Sequence, residues 1–321
     1  MKGNESFQPV FVVGSARSGT TMIGKLLASH PLFCEYRAET LIMSVCRKRY
    51  GNIFSSDSRK DKFLADWFSS RQFKRSNLTK EEFTKVLEQS RSYPELLINF
   101  LNKMTVKSES HFIVDSTPAN AGHIQDILKQ FHNAKFIWMV RDGRDVSISQ
   151  EKLGWISSPA PFKQHTDRLH YALLNWKLIN KKCFSAVKSN VMIVRYEDFL
   201  SAPEQSLQEM ASFLNTDKNA FDLSSALDPN KSNSAFGKLG NEDNRSPVAR
   251  WRNADAEMVK NFTFGCSDTL TQLGYSASDS GWSLSLQARY SLFYIHIMAK
   301  RALSGFHWFS KRTSERLEDG D

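Results

Sequence analysis

The sequence predicts an α/β fold in which a central parallel sheet is sandwiched between helical layers. Two observations carry this, and a third narrows it. Short apolar runs bounded by turn signals alternate with helical periodicity: PVFVVG (9–14), HFIVDS (111–116), KFIWMV (135–140) and VMIVRY (191–196). These runs are apolar on both faces, as strands buried between two layers are. The first ends in Gly14-x4-Gly19-Thr20-Thr21, the frame of a phosphate-binding loop between a strand and a helix. The expectation is a P-loop-like three-layer sandwich with a helical cap inserted over about 41–110.

In order, PVFVVG is the first strand, and Thr20 to His30 the helix that Pro31 closes. FCEYRAET (33–40) reads as a short second strand. LTKEEFTKVLEQ (78–89) and PELLINFLNKM (94–104) give the cap its helical pattern. After the third strand come Pro118 and a helix over roughly 120–132. The fourth strand precedes the turn RDGRD and a helix, then a long helix over 163–189. The fifth strand is followed by SAPEQSLQEMASFLN (201–215), where Ser and Pro signal a helix start. Residues 224–248 are rich in Ser, Asn, Gly and Pro without periodicity, so either a functional loop or a disordered segment is expected. We divide the chain into a domain, 1–281, and a basic amphipathic segment with an acidic tail, 282–321.

The chain has 321 residues, 23 Phe and 40% hydrophobic content, enough for one large core and too apolar for wholesale disorder. A formal charge of +9 fits an anionic ligand, a polyanionic acceptor or an anionic membrane. Nucleic acid is not expected, because no zinc finger, RNP-like run or dense basic block is present. Cys34, Cys46, Cys183 and Cys266 are too scattered for a disulfide framework or a zinc site. The N-terminus reaches a strand within ten residues, and no run approaches the ~18 apolar residues of a membrane span. A cytoplasmic body is expected, with peripheral membrane contact through 282–312 or a homodimer left open.

The phosphate-binding frame lacks its usual lysine: Thr20 stands there, and the nearest cation is Arg17 inside the loop. Backbone N–H groups at such a helix start converge on one anion. Arg17 adds a planar fork, and Ser18, Thr20 and Thr21 add hydroxyls. The alternative is a tight turn with an incidental arginine. A second constellation is Arg141-Asp142-Gly143-Arg144-Asp145-Val146-Ser147-Ile148-Ser149. Arg141 stands at a strand's carboxyl end, where open α/β sheets bind ligands, and Ser149 falls two helical turns on. Surface ion pairing among its four charged residues is the competing reading.

Together these segments resemble the sulfotransferase family, which uses 3′-phosphoadenosine 5′-phosphosulfate (PAPS). RSGTT looks like that family's 5′-phosphosulfate loop, and Arg141 with Ser149 like its 3′-phosphate motif. Tyr196 in RYEDF and Arg250-Trp251-Arg252 follow in the family's order, so the resemblance spans roughly 9–275. It implies PAPS as donor, leaving as 3′-phosphoadenosine 5′-phosphate (PAP), with no metal. Arg17, Ser18, Gly19, Thr20, Thr21, Arg141, Ser149, Tyr196 and Arg250 would bind the donor, with Arg245 ranked below Arg250. Glu39, in Tyr36-Arg37-Ala38-Glu39-Thr40, matches the glutamate that acts as base in tyrosylprotein and several bacterial members. His123 is the rival base. A departure is Asp115-Ser116-Thr117-Pro118, where Ser116 replaces the family's lysine. Charge stabilisation would then fall on Arg17, the loop amides and Thr20.

The resemblance implies sulfuryl transfer to a hydroxyl of a small molecule, carbohydrate or peptide. The cap and the loop 154–166 are expected to shape the acceptor's site. Two alternatives remain: a P-loop kinase of a small metabolite, or a catalytically silent nucleotide-binding partner protein.

Overall fold

Five strands run parallel in the order β2-β3-β1-β4-β5. They are β1 (Gln8–Gly14), β2 (Phe33–Tyr36), β3 (Phe112–Asp115), β4 (Lys135–Val140) and β5 (Val191–Arg195). This is a computed structural model, which describes residues 7–36, 38–108, 110–227, 247–277 and 282–307. From β1 the chain winds to β2 on one side of the sheet. From β4 it winds to β5 on the other. The connections therefore diverge between β1 and β4, and a crevice opens at the carboxyl ends of those two strands.

The helices are α1 (Thr20–Ala28), α2 (Arg47–Tyr50), α3 (Asp57–Ser69), α4 (Arg71–Lys74), α5 (Lys80–Glu88), α6 (Tyr93–Lys107), α7 (Ile124–Gln130) and α8 (Gly143–Lys152). They continue with α9 (His165–Phe184), α10 (Tyr196–Ser201), α11 (Pro203–Leu214), α12 (Leu223–Leu227), α13 (Ala256–Thr263), α14 (Ser267–Gln272) and α15 (Leu284–His307).

Side-chain alternation divides the core. Phe11, Val13, Phe136 and Trp138 face α3, α5, α6 and α9, whereas Val10, Val12, Ile137 and Met139 face α1 and α11. The insertion between β2 and β3 is helical, as its periodicity predicts. Phe63, Trp67, Phe83 and Phe100 bring it into the same core as the sheet. Its starts follow local rules. Thr79 and Glu82 form a reciprocal capping box on α5, and the Ser92 hydroxyl accepts from Glu95 N at 3.3 Å to open α6.

Several expected boundaries shift: the strand read over 33–40 ends at Tyr36, and the helix read to His30 ends at Ala28. The helix expected over 120–132 splits into a 3₁₀ turn, Pro118–Gly122, and α7. The helix expected over 163–189 closes at Phe184, where Ala186 N turns back to Cys183 O. Ser201 closes α10, and α11 starts at Pro203, whose missing N–H costs nothing in a first turn. Within the 224–248 segment the first residues are helical as part of α12. Residues 228–246, with Arg245, lie outside the described residues. Among the described residues no helix is long and apolar enough to cross a membrane.

Candidate active site

The loop after β1 is shaped by backbone conformations that few residues tolerate. Gly14 has φ 145, and a Cβ there would lie 2.4 Å from the Met139 carbonyl oxygen, so only glycine lets β1 and β4 approach this closely. Gly19, at φ 95, caps α1 without any side-chain cap, which leaves the first-turn N–H groups of that helix for an anion. Arg17 has φ 78, a left-handed conformation costing a non-glycine residue about 1–2 kcal/mol. Such strain concentrates at functional sites. The hydroxyls of Ser15 and Ser18 are fully buried and have no hydrogen-bond partner among the described residues. An unmet buried hydroxyl costs about 1–3 kcal/mol, so two in one turn fit a loop completed by a bound oxyanion.

Across the crevice, β4 delivers Arg141 and α8 carries Ser149. Arg141 Nη1 donates to the Arg17 carbonyl oxygen at 2.8 Å, and Nη2 to that of Pro247 at 2.7 Å. Its buried Nε has no partner among the described residues. Arg17 Nε donates to Ser149 Oγ at 3.2 Å, and its guanidinium lies 5.6 Å from the Trp155 ring. The Tyr196 ring lies 4.7 Å from the Arg141 guanidinium and packs on Gly19, where a Cβ would meet it at 2.8 Å.

Burial raises the Tyr196 hydroxyl's pKa, and the charges of Arg141, Arg250 and Arg17 oppose that shift. Burial and the neighbouring Arg141 lower Arg17. Arg17, Ser18, Gly19, Arg141, Ser149, Tyr196 and Arg250 thus gather into one cationic crevice. Thr20 is buried beside it at the start of α1, and Thr21 is exposed.

Glu39 is exposed on the segment after β2, two strands from the loop. Its neighbour Thr40 is anchored: Thr40 N donates to Thr117 Oγ1 at 2.8 Å, and Thr40 Oγ1 to Asp115 Oδ2 at 2.9 Å. Asp115, wholly buried at the end of β3, also accepts from Asn120 Nδ2 at 2.9 Å, from Thr117 N at 3.0 Å and from the Thr117 hydroxyl. Burial pushes Asp115 up to about 6, and the charge of Glu39 adds to that shift. Ser116 packs on α1, where a Cβ at Gly24 would lie 3.0 Å from its own Cβ. Burial and the charges of Arg47, Lys182 and Lys48 lower His123 to about 4. Those charged neighbours belong to α2 and α9, not to the loop.

The surface reading of RDGRD is overturned. Arg141, Asp142, Arg144 and Asp145 are exposed by only 6, 6, 2 and 1%. Asp145 accepts from Ala249 N at 2.7 Å and Trp251 N at 3.0 Å, which clamps the Arg250 segment over α8. Asp142 caps α8 and grips Arg144, whose guanidinium stacks 3.5 Å from the Trp251 ring. Glu197 accepts from Asp142 N and from the Tyr275 hydroxyl. A cavity of about 250 Å³ lies behind this brace, between Arg195, Trp251, Arg252 and Tyr275, and shares no lining residue with the loop.

Sequence reasoning missed Asp145, Asp115, Trp155 and Gln150, whose Nε2 donates to the Ala16 carbonyl oxygen at 2.9 Å. Asp145 and Trp155 lay within segments already singled out but without these roles, and Gln150 had a local signal as the next residue on the helix that presents Ser149.

Comparisons with known proteins bear on the family of the chain. A model described as "Sulfotransferase family" matches residues 9–220. A protein-tyrosine sulfotransferase of Drosophila melanogaster is 23% identical over 226 residues, covering 67% of this chain and 40% of that protein. An uncharacterized protein of Aquifex aeolicus is 22% identical over 227 residues, covering 66% of this chain and 26% of its own length. The chain thus spans less than half the length of either relative. Among solved structures, the sulfotransferase domain of the Synechococcus PCC 7002 olefin synthase is 17% identical. It covers 92% of this chain and 97% of its own, with a TM-score of 0.47. Because the family model matches more than half of its residues, this chain belongs to the sulfotransferase family.

Proposed function

We propose that the protein transfers a sulfuryl group from PAPS to an acceptor hydroxyl and releases PAP. One observation carries the reading: Arg17, Arg141 and Arg250 converge around Tyr196 at the crevice between β1 and β4, beside a loop with two unpartnered hydroxyls. That is a site for two anionic groups, and no Walker lysine is present for a triphosphate.

The donor supplies an activated sulfuryl group whose sulfur–oxygen bond to phosphate breaks as the acceptor oxygen attacks. The first-turn amides of α1, the hydroxyls of Ser15, Ser18 and Thr20, and Arg17 stabilise the charge that collects on the departing phosphate. Arg141, Ser149 and Arg250 hold the 3′-phosphate, and Tyr196 lies against the nucleotide. Because Arg17 contacts Ser149, it stands between the two anion positions and serves the first by turning from the second. Glu39 takes the acceptor's proton as the new bond forms. Its anchored neighbour Thr40 holds it in place. Likeness to the Drosophila protein-tyrosine sulfotransferase supports a peptide hydroxyl as the first acceptor to test, ahead of carbohydrate and small-molecule hydroxyls.

The test is a thermal-shift comparison of PAP, PAPS, ADP and ATP–Mg²⁺, followed by mass analysis of tyrosine peptides and sugars incubated with PAPS. Stabilisation by PAP without metal and an 80-Da gain on an acceptor (about the mass of SO₃) are expected. Stabilisation by ATP–Mg²⁺ alone would favour a kinase. PAP binding with no transfer to any acceptor would favour a silent homologue.

A further inference from the structure

Helix α15 packs its inner face on the domain through Leu286, Phe293 and Ile297, all buried. Its outward arc runs Leu284, Ala288, Leu292, Ile295, Met298, Ala299, Ala302 and Leu303 and carries no charged side chain. Leu284 is 74% exposed, Ile295 63% and Leu303 58%, and Trp282, just before the helix, is 71% exposed. Such a run of large apolar groups facing water marks an interaction surface. At 24 residues the helix is not apolar enough to cross a bilayer.

A second observation identifies that partner. Along one flank of α15, Arg301 meets Lys48 of α2, whose Nζ donates to the Arg301 carbonyl oxygen at 2.6 Å, and Lys182 of α9 stands close by. Repulsion from Lys182 and Arg301 adds to burial in lowering the pKa of Lys48, and Arg301 acts on Lys182 in the same way. Residues 281–314 include Arg289, Lys300, Arg301, Lys311 and Arg312 but no acid. A like-charged cluster beside an apolar face complements an anionic headgroup layer with acyl chains beneath it.

We propose that α15 docks the protein on an anionic phospholipid surface: its outward apolar arc enters the headgroup boundary while the exposed Lys48 and Lys182 meet lipid phosphates. Exposed Trp282 anchors the amino end at the interface. This proposal stands apart from the donor and acceptor readings.

The test is co-sedimentation of the full chain with phosphatidylcholine vesicles and with equimolar phosphatidylcholine/phosphatidylserine vesicles. Binding to the mixed vesicles alone, weakened by salt, is expected. The double variant Leu292→Glu, Ile295→Glu should lose at least tenfold, and Lys48→Ala and Lys182→Ala roughly fivefold each. Melting temperatures should stay near wild type, because Leu292, Ile295, Lys48 and Lys182 are exposed. No binding to mixed vesicles, or binding untouched by the double variant, overturns the proposal. So does a wild-type dimer that the double variant turns into a monomer without any lipid binding, which would mean that a second copy covers this face.

Discussion

Arg141 and Arg17 are joined across 124 residues of chain: the guanidinium of Arg141 donates to the Arg17 carbonyl oxygen at 2.8 Å. The loop after β1 and the end of β4 are thereby held in one register, and two like charges are brought together at a crevice. That arrangement is unfavourable alone and favourable around a dianion. We expect Arg141→Ala to weaken PAP binding about 100-fold, since both a buried charge and a fork of donors are lost. Arg141→Lys should keep the charge, lose the fork and cost about tenfold. Titration calorimetry with PAP decides; two variants that bind like wild type would remove Arg141 from the donor site.

Glu39→Gln separates binding from chemistry. General-base assistance is worth about 10²–10⁴-fold, so turnover should fall by at least 100-fold. PAP affinity should stay within about twofold, because Glu39 lies two strands from the loop. Single-turnover sulfation and PAP calorimetry on the same preparation check both. Equal loss in the two measurements would make Glu39 a structural residue.

Asp145→Ala removes the clamp on Ala249 N and Trp251 N. Two charge-assisted bonds are broken at a buried site, and Arg250 loses its fixed position. We expect roughly tenfold weaker PAP binding and faster hydrogen exchange at the amides of residues 249 and 251. Weaker binding with unchanged exchange would mean that Asp145 acts through its charge alone.

These expectations rest unevenly on the sequence. The strands were legible because a buried parallel strand is a continuous apolar run, and the loop because its glycines hold backbone positions that other residues avoid. Arg141 and Ser149 were legible as a strand end and the helix after it, which is local geometry, whereas the contact that Ser149 makes is with Arg17. The partners across the crevice were not legible. Nothing near Asp145 says that it will hold backbone 104 residues away, and a run of alternating charges more often lies on a surface. The layer packed from 41–110 has the same periodicity whether it caps a site or fills a core. What decides is the sheet it meets, through Phe11 and Phe136. Asp115 was read only as the neighbour of Ser116, because its role is to collect donors from Thr40, Thr117 and Asn120 after folding.

That buried carboxylate gives the last expectation, which concerns pH. Asp115 is raised to about 6 in the folded protein, against 3.8 for an unburied aspartate. The folded state therefore binds its proton more tightly than the unfolded chain does. Its stabilising effect is complete below about 4 and is lost as pH rises through about 6. Asp115→Asn removes this titration. It also places an amide N–H₂ where a carboxylate oxygen accepted from two donors, a mismatch of about 1–3 kcal/mol. The cost of Asp115→Asn should accordingly be larger at pH 5 than at pH 8, by roughly 1–1.5 kcal/mol for a shift of about two units. Urea unfolding of both proteins at the two pH values measures it. Because Thr40 is released along with Asp115, turnover should fall more than PAP affinity in the variant. A pH-independent cost with unchanged turnover would show that Asp115 neither titrates in this range nor positions Glu39.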